Sequence, residues 1–135
     1  MSLKVKIFSF SYKFSSVPED TSGNGGGFVF DCRYIDNPGR IDDFKDLTGL
    51  DKKVSNYLDD TSDMQDFLWN VYRIISPVIE KYISRDFTNL QISFGCTGGR
   101  HRSVYSAENL ARFLTENYPQ IEVETIHTQI NNYIH

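Results

Sequence analysis

Two cysteines in 135 residues are too few for a disulfide framework, and they lack the paired spacing of a zinc site. Three histidines, with no ligand-type spacing, add no metal centre. An excess of positive charge is also lacking: 14 Lys and Arg stand against 18 Asp and Glu, a net charge of −4. A pI near 5.3 argues against a dedicated, globally basic nucleic-acid binder. No apolar run approaches a membrane span and no signal-peptide pattern opens the chain. The expectation is a reduced, cytoplasmic protein with no cofactor, metal or membrane partner. Met1-Ser2-Leu3 is compatible with a cloning remnant ahead of a longer natural chain. What is present is a 39% hydrophobic fraction, rich in Phe and Tyr, sufficient for a single domain over residues 1–135.

Hydrophobic patterning orders the elements. A first strand begins at Val5 and continues through Phe14, and Ser15 to Gly27 is a glycine-rich loop. Phe28 to Ile35 is apolar enough for a central strand, ended by the turn Asp36-Asn37-Pro38-Gly39. Ile41 to Leu58 reads as loop and short helix. Ser62-Asp63-Met64-Gln65 has the form of a capping box opening a long helix, which Pro77 should kink or divide. A strand at Leu90 to Phe94, a helix from Val104 to Leu114 and an alternating strand at Ile121 to Ile126 complete the chain. Strands separated by helices imply right-handed crossovers, so the fold class is α/β: a mostly parallel sheet flanked by helices.

The most informative stretch is Phe94-Gly95-Cys96-Thr97-Gly98-Gly99-Arg100-His101-Arg102-Ser103. A strand passes through a glycine turn into a helix start, where backbone N–H groups lack intrahelical partners and the dipole favours an anion. Arg100, His101 and Arg102 crowd a position where cations oppose that dipole unless an anion is near. Arg102 has the fork geometry to clamp a phosphate. These residues, Cys96 to Ser103, are the candidate phosphate cradle.

Three blocks carry a resemblance: Phe28 to Pro38, then Leu47-Thr48-Gly49-Leu50-Asp51-Lys52, then Gly95 to Tyr105. In this order and spacing they resemble the carboxy-terminal domain of the RapZ family, bacterial nucleotide-binding proteins and RNase adaptors. The resemblance implies an α/β domain that binds glucosamine-6-phosphate, contacts a small regulatory RNA and self-associates. The family's N-terminal P-loop domain has no counterpart, because no G-x-x-x-x-G-K-[ST] occurs, so ATP or GTP hydrolysis is not expected. Lys13 and His127 match the family pattern. Phe14 replaces a family histidine, and the uncharged Asn131 to His135 replaces a basic tail. RNA binding is thereby the weaker part of what the likeness implies, and binding of a phosphorylated amino sugar the stronger.

Further candidates have two readings each. Asp31 and Arg33 share a strand face, either as an ion pair or as contacts for sugar and phosphate at the carboxyl edge of the sheet. Asn37, Thr48, Gly49, Asp51 and Lys52 either recognise hydroxyls or an amine, or form turns. His127 is a ligand contact or a capped histidine, and Cys32 faces the core. Tyr12 and Tyr34 lie near the proposed site, whereas most other aromatics fall at core-facing periods. An alternative function rests on Cys96, five residues, Arg102 and Ser103, the C-x₅-R-[ST] signature of cysteine-dependent phosphatases. There Cys96 would attack phosphorus and Asp31, Asp36 or Asp51 would protonate the leaving oxygen.

Overall fold

The computed structural model describes residues 2–130. Its strands are β1 (Lys4–Ser11), β2 (Phe28–Asp31), β3 (Asn89–Cys96) and β4 (Glu122–His127), and its α-helices are α1 (Lys52–Asp59), α2 (Ser62–Ser84) and α3 (Arg102–Asn117). All four strands pair in parallel, in the order β2-β3-β1-β4. The α/β expectation and the parallel sheet are therefore met.

Handedness explains the layering. From β2 to β3 and on to β4 the chain moves across the sheet in one direction, so right-handed crossovers place α1, α2 and α3 on one face. The step from β1 to β2 runs the other way, and its loop covers the opposite face, where Gln91 donates to the Pro18 carbonyl at 2.9 Å. Alternation then selects the core: Val5, Ile7, Leu90, Ile92 and Phe94 meet Leu58, Met64, Leu68, Val71, Ile75, Ile79, Leu110 and Leu114. α2 buries a stripe at 3.6-residue spacing, whereas α3 buries every residue from Arg102 to Ala107 and then only Leu110 and Leu114.

Several boundaries differ from the sequence reading. β1 stops at Ser11 because Tyr12 to Ser15 fold into a turn around its hydroxyl, which accepts from the Lys13 and Phe14 amides at 3.1 and 2.8 Å. β2 ends at Asp31 and lies at an edge, with Val29 44% exposed, because its aromatic side chains pack on α2 from one face only. The capping box does not form: Thr61 is the N-cap, its hydroxyl donates to Tyr57 O, and Gln65 reaches Leu58 O and Tyr105 Oη instead. Pro77 does not divide α2, which runs unbroken with that residue on its exposed side.

Phe94 is fully buried, stacks on Phe30 at 5.4 Å and touches Phe67 of α2 edge-on. Phe94→Ala is expected to destabilise the domain by about 3–5 kcal/mol, read as a lower denaturant midpoint with unchanged slope.

Candidate anion-binding site

Because every strand runs the same way, the ends at Ser11, Asp31, Cys96 and His127 line one edge of the sheet. The turn Thr97–His101 leaves the centre of that edge. Gly99 takes φ +71°, and a Cβ there would meet Gln129 Cγ at 2.7 Å and Ser11 N at 2.9 Å, so glycine is required for both conformation and space. Ser11 donates its hydroxyl to Thr97 O at 2.6 Å, and the Tyr12 and Lys13 amides reach Cys96 O and Thr97 O. The turn is thus fixed against the end of β1.

The amides of Gly98, Gly99, His101, Arg102 and Ser103 donate to no acceptor among the described residues. His101 is the N-cap and its side chain makes no cap bond, so the positive end of α3 is open. This is the feature the sequence reading expected of a cradle.

Arg102 departs from the expected role as a free clamp. It is 3% exposed, and one terminal nitrogen donates to Arg33 O at 2.9 Å and Ile35 O at 2.7 Å, with Cys32 O at 3.5 Å. The guanidinium therefore holds the segment after β2 onto α3. Its Nε is buried and has no partner among the described residues. Arg100 donates to Lys45 O at 3.3 Å.

His101 is 7% exposed and donates from Nε2 to Phe44 O at 2.9 Å. Burial holds its pKa below the ordinary histidine value, against the raising effect of the Phe44 carbonyl. The imidazole is a strut for the loop 41–49 rather than a cation for a ligand. Gly49 closes the same loop, its amide donating to Arg100 O at 2.7 Å, with no space for a Cβ against His101 O.

The remaining predicted residues divide. Asp31 and Arg33 form a two-pronged ion pair, with contacts of 2.7 to 3.0 Å, and Arg33 lies 3.8 Å over the Tyr12 ring. Hydrogen bonding from Arg33 lowers the Asp31 pKa, so that carboxyl stays ionised. Both side chains are about half exposed, next to Tyr34 at 63%. Lys13 is exposed, 5.2 Å above the Phe14 ring. Asn37 accepts from Gly39 N, and Asp51 accepts from Thr48 N, while Thr48 accepts from Leu50 N. These are turn contacts, and Lys52 is an exposed first residue of α1.

Cys96 is buried, with Sγ 3.1 Å from Ser103 Oγ. Cys32 is core, as expected, and its thiol is pushed upward by burial. His127 is buried, bridging Ser9 Oγ at 2.6 Å and Glu108 Oε2 at 2.7 Å. Sequence reasoning missed Ser9, Glu108 and Gln129 at this edge. The only signal was two serines, Ser9 and Ser11, on the inward face of an otherwise apolar strand. The segment Asn131 to His135 lies outside the described residues.

Fold and site together define an α/β domain whose glycine turn offers open amides at a helix start, without the lysine of a nucleotide P-loop. The family model described as the RapZ C-terminal domain matches residues 3–131. The chain belongs to that family. A nucleotide-binding protein of Lactobacillus delbrueckii subsp. bulgaricus is 36% identical over 130 residues, 96% of this chain and 41% of its own. Another so named, from Thermosipho melanesiensis, is 36% identical over 84% of this chain and 39% of its own. A third, from Paenarthrobacter aurescens, is 33% identical over 96% and 40% respectively. The chain spans about two fifths of the length of these curated relatives.

The His101 environment sets a pH dependence. The unfolded chain takes up this proton near pH 6.5, and the folded chain only at lower pH, so the unfolded state binds more protons in between. Stability is expected to fall as pH drops below about 6.5, by up to about 1.4 kcal/mol per unit, until folded His101 itself titrates. His101→Gln should flatten that limb in urea melts between pH 7 and 5. Asp31, with its lowered pKa, acts in the separate window below about pH 4.

Proposed function

We propose that this domain is a non-catalytic regulatory module that binds a phosphate ester, of the amino-sugar phosphate class, at the turn Thr97–Ser103. The observation that carries the reading is the set of amides of Gly98, Gly99, His101, Arg102 and Ser103, which point to no acceptor among the described residues, at the positive end of α3. The buried, unpartnered Nε of Arg102 supports it, as do Arg33 and Lys13 along the same edge. The family resemblance points to glucosamine-6-phosphate as the ligand to try first. The curated relatives carry the name nucleotide-binding protein, so a nucleoside monophosphate belongs in the same trial.

Two charge-assisted contacts of about 1.5–2.5 kcal/mol each and a dipole contribution of about 1 kcal/mol sum to roughly 4–6 kcal/mol. The corresponding Kd runs from about 1 mM to tens of micromolar. That is the range of a metabolite sensor, not of a tightly held cofactor.

The phosphatase alternative requires Arg102 to hold the reacting phosphoryl group and an acid to protonate the leaving oxygen. Asp31 is held ionised by Arg33, so it is not disposed to supply that proton.

Calorimetry with glucosamine-6-phosphate, AMP and inorganic phosphate tests the reading. Binding in the stated range is expected, about tenfold weaker in Arg102→Lys, with the variant's fold verified by its unfolding midpoint. Absence of heat with every ester at millimolar concentration overturns it. Hydrolysis of an aryl phosphate that disappears in Cys96→Ser would instead establish the enzyme.

A further inference from the structure

The pairing of β2 with β3 brings together two residues far apart in the chain. Asp31 stands opposite Gly95, and the Cys32 amide continues the ladder to Gly95 O at 2.7 Å, which sets Cys32 opposite Cys96. Opposed residues project from the same face of a sheet. The previous pair on that face, Phe30 and Phe94, is already in stacked contact. Adjacent strands lie about 4.8 Å apart, inside the Cα separation of roughly 4.4–6.8 Å that a disulfide bridges. Both thiols are free.

The surroundings are unlike the rest of the core. Cys32 Sγ lies 3.8 Å from Ser106 Oγ, and Cys96 Sγ lies 3.1 Å from Ser103 Oγ, two hydroxyls on successive turns of α3. Neither sulfur has a role in the phosphate-ester reading, apart from the position of Cys96 below the turn. We infer that Cys32 and Cys96 are a redox-modification site, closed to a disulfide by peroxide and reopened by a thiol reductant.

The chemistry balances with hydrogen peroxide as oxidant. Cys96 sulfur, under the helix N-terminus, attacks one peroxide oxygen: an S–O bond forms, the O–O bond breaks, and the released hydroxide leaves with the Cys96 proton as water. Cys32 sulfur then attacks the sulfenic sulfur. The S–S bond forms, the S–O bond breaks, and the departing hydroxide takes the Cys32 proton as a second water. Two thiols and one peroxide thus give one disulfide and two waters, the sulfurs losing the two electrons that the peroxide gains. Burial raises the Cys32 thiol pKa, which keeps its proton in place until the second step. Both thiols are buried, at 0% and 2% exposure, so entry of this small oxidant requires the turn to open.

Closure would draw Cys96 away from Ser103 in the first turn of α3 and fix Cys32, whose carbonyl faces Arg102. Oxidation would therefore weaken anion binding, a consequence that rests on the phosphate-ester reading above.

The full chain, treated with hydrogen peroxide and then dithiothreitol, tests both parts. Intact mass and thiol titration are expected to show paired loss of both thiols within one chain, reversed by the reductant. Cys32→Ala and Cys32→Val, each folded by its unfolding midpoint, should form no intramolecular bridge. Persistence of both free thiols, or oxidation of Cys96 without the loss of two hydrogen masses, overturns the site. Inorganic phosphate is then titrated in both states, with about tenfold weaker binding expected after oxidation. Equal affinity overturns the link to the anion turn. Absence of phosphate binding in either state overturns the phosphate-ester reading, while the thiol count still decides the disulfide.

Discussion

Parallel pairing of β3 between β1 and β2 is the constraint from which the rest follows. A sheet of parallel strands returns the chain outside the sheet after each strand, and the right-handed rule decides on which face. Here it sends all three helices to one side and leaves the loop between β1 and β2 to cover the other. The same constraint collects the strand ends along one edge. The turn after β3 then lies between the end of β1, which fixes it through Ser11, and the end of β2, which is joined to it through Arg102.

Three basic residues at a helix start oppose the helix dipole, and the structure answers this without any ligand. Burial keeps His101 neutral, and its N–H goes to Phe44 O. The Arg102 charge meets three carbonyl oxygens whose dipoles converge on one nitrogen. Arg100 reaches Lys45 O. The basic cluster therefore has a folding role, tying two loops to α3, that stands beside any role in binding. Crowded cations alone are weaker evidence for an anion than the sequence argument gave them. The open amides of Gly98, Gly99, His101, Arg102 and Ser103 are the stronger ground, since no described backbone or side-chain group takes their place.

Local patterns in the sequence located what local physics determines. β-prone apolar composition marks β1 and β3, alternation marks β4, and the 3.6-residue repeat marks α2 and α3. The glycine turn was legible for the same reason: Gly99 needs its positive φ whatever surrounds it. β2 lies at an edge although Phe28 and Phe30 are apolar enough for a central strand, because exposure depends on which strand lies alongside. Thr61 displaced the expected cap at Ser62 because α1 ends only two residues before α2 begins, a tertiary fact. Thr48, Asp51 and Asn37 were fairly read as either turn formers or ligand contacts, and their hydrogen bonds in the structure are turn contacts.

What no local pattern could supply is register. Ser9 and His127 meet because β1 and β4 pair at those positions, and Glu108 reaches them from α3. A carboxylate only accepts, so His127 donates from Nε2 to Glu108, while its Nδ1 lies 2.6 Å from Ser9 Oγ. This chain of bonds fastens α3 to the sheet in its second turn, directly behind the residues that form the anion turn. Between them, Ser106 donates its hydroxyl to Arg102 O at 2.7 Å. The helix is therefore a fixed base, and any change on ligand binding or thiol oxidation must fall in the segments it holds, the turn at Thr97–His101 and the loops at 32–37 and 41–49. Those segments, through Arg102 and His101, are the parts of the fold whose position depends on single side chains.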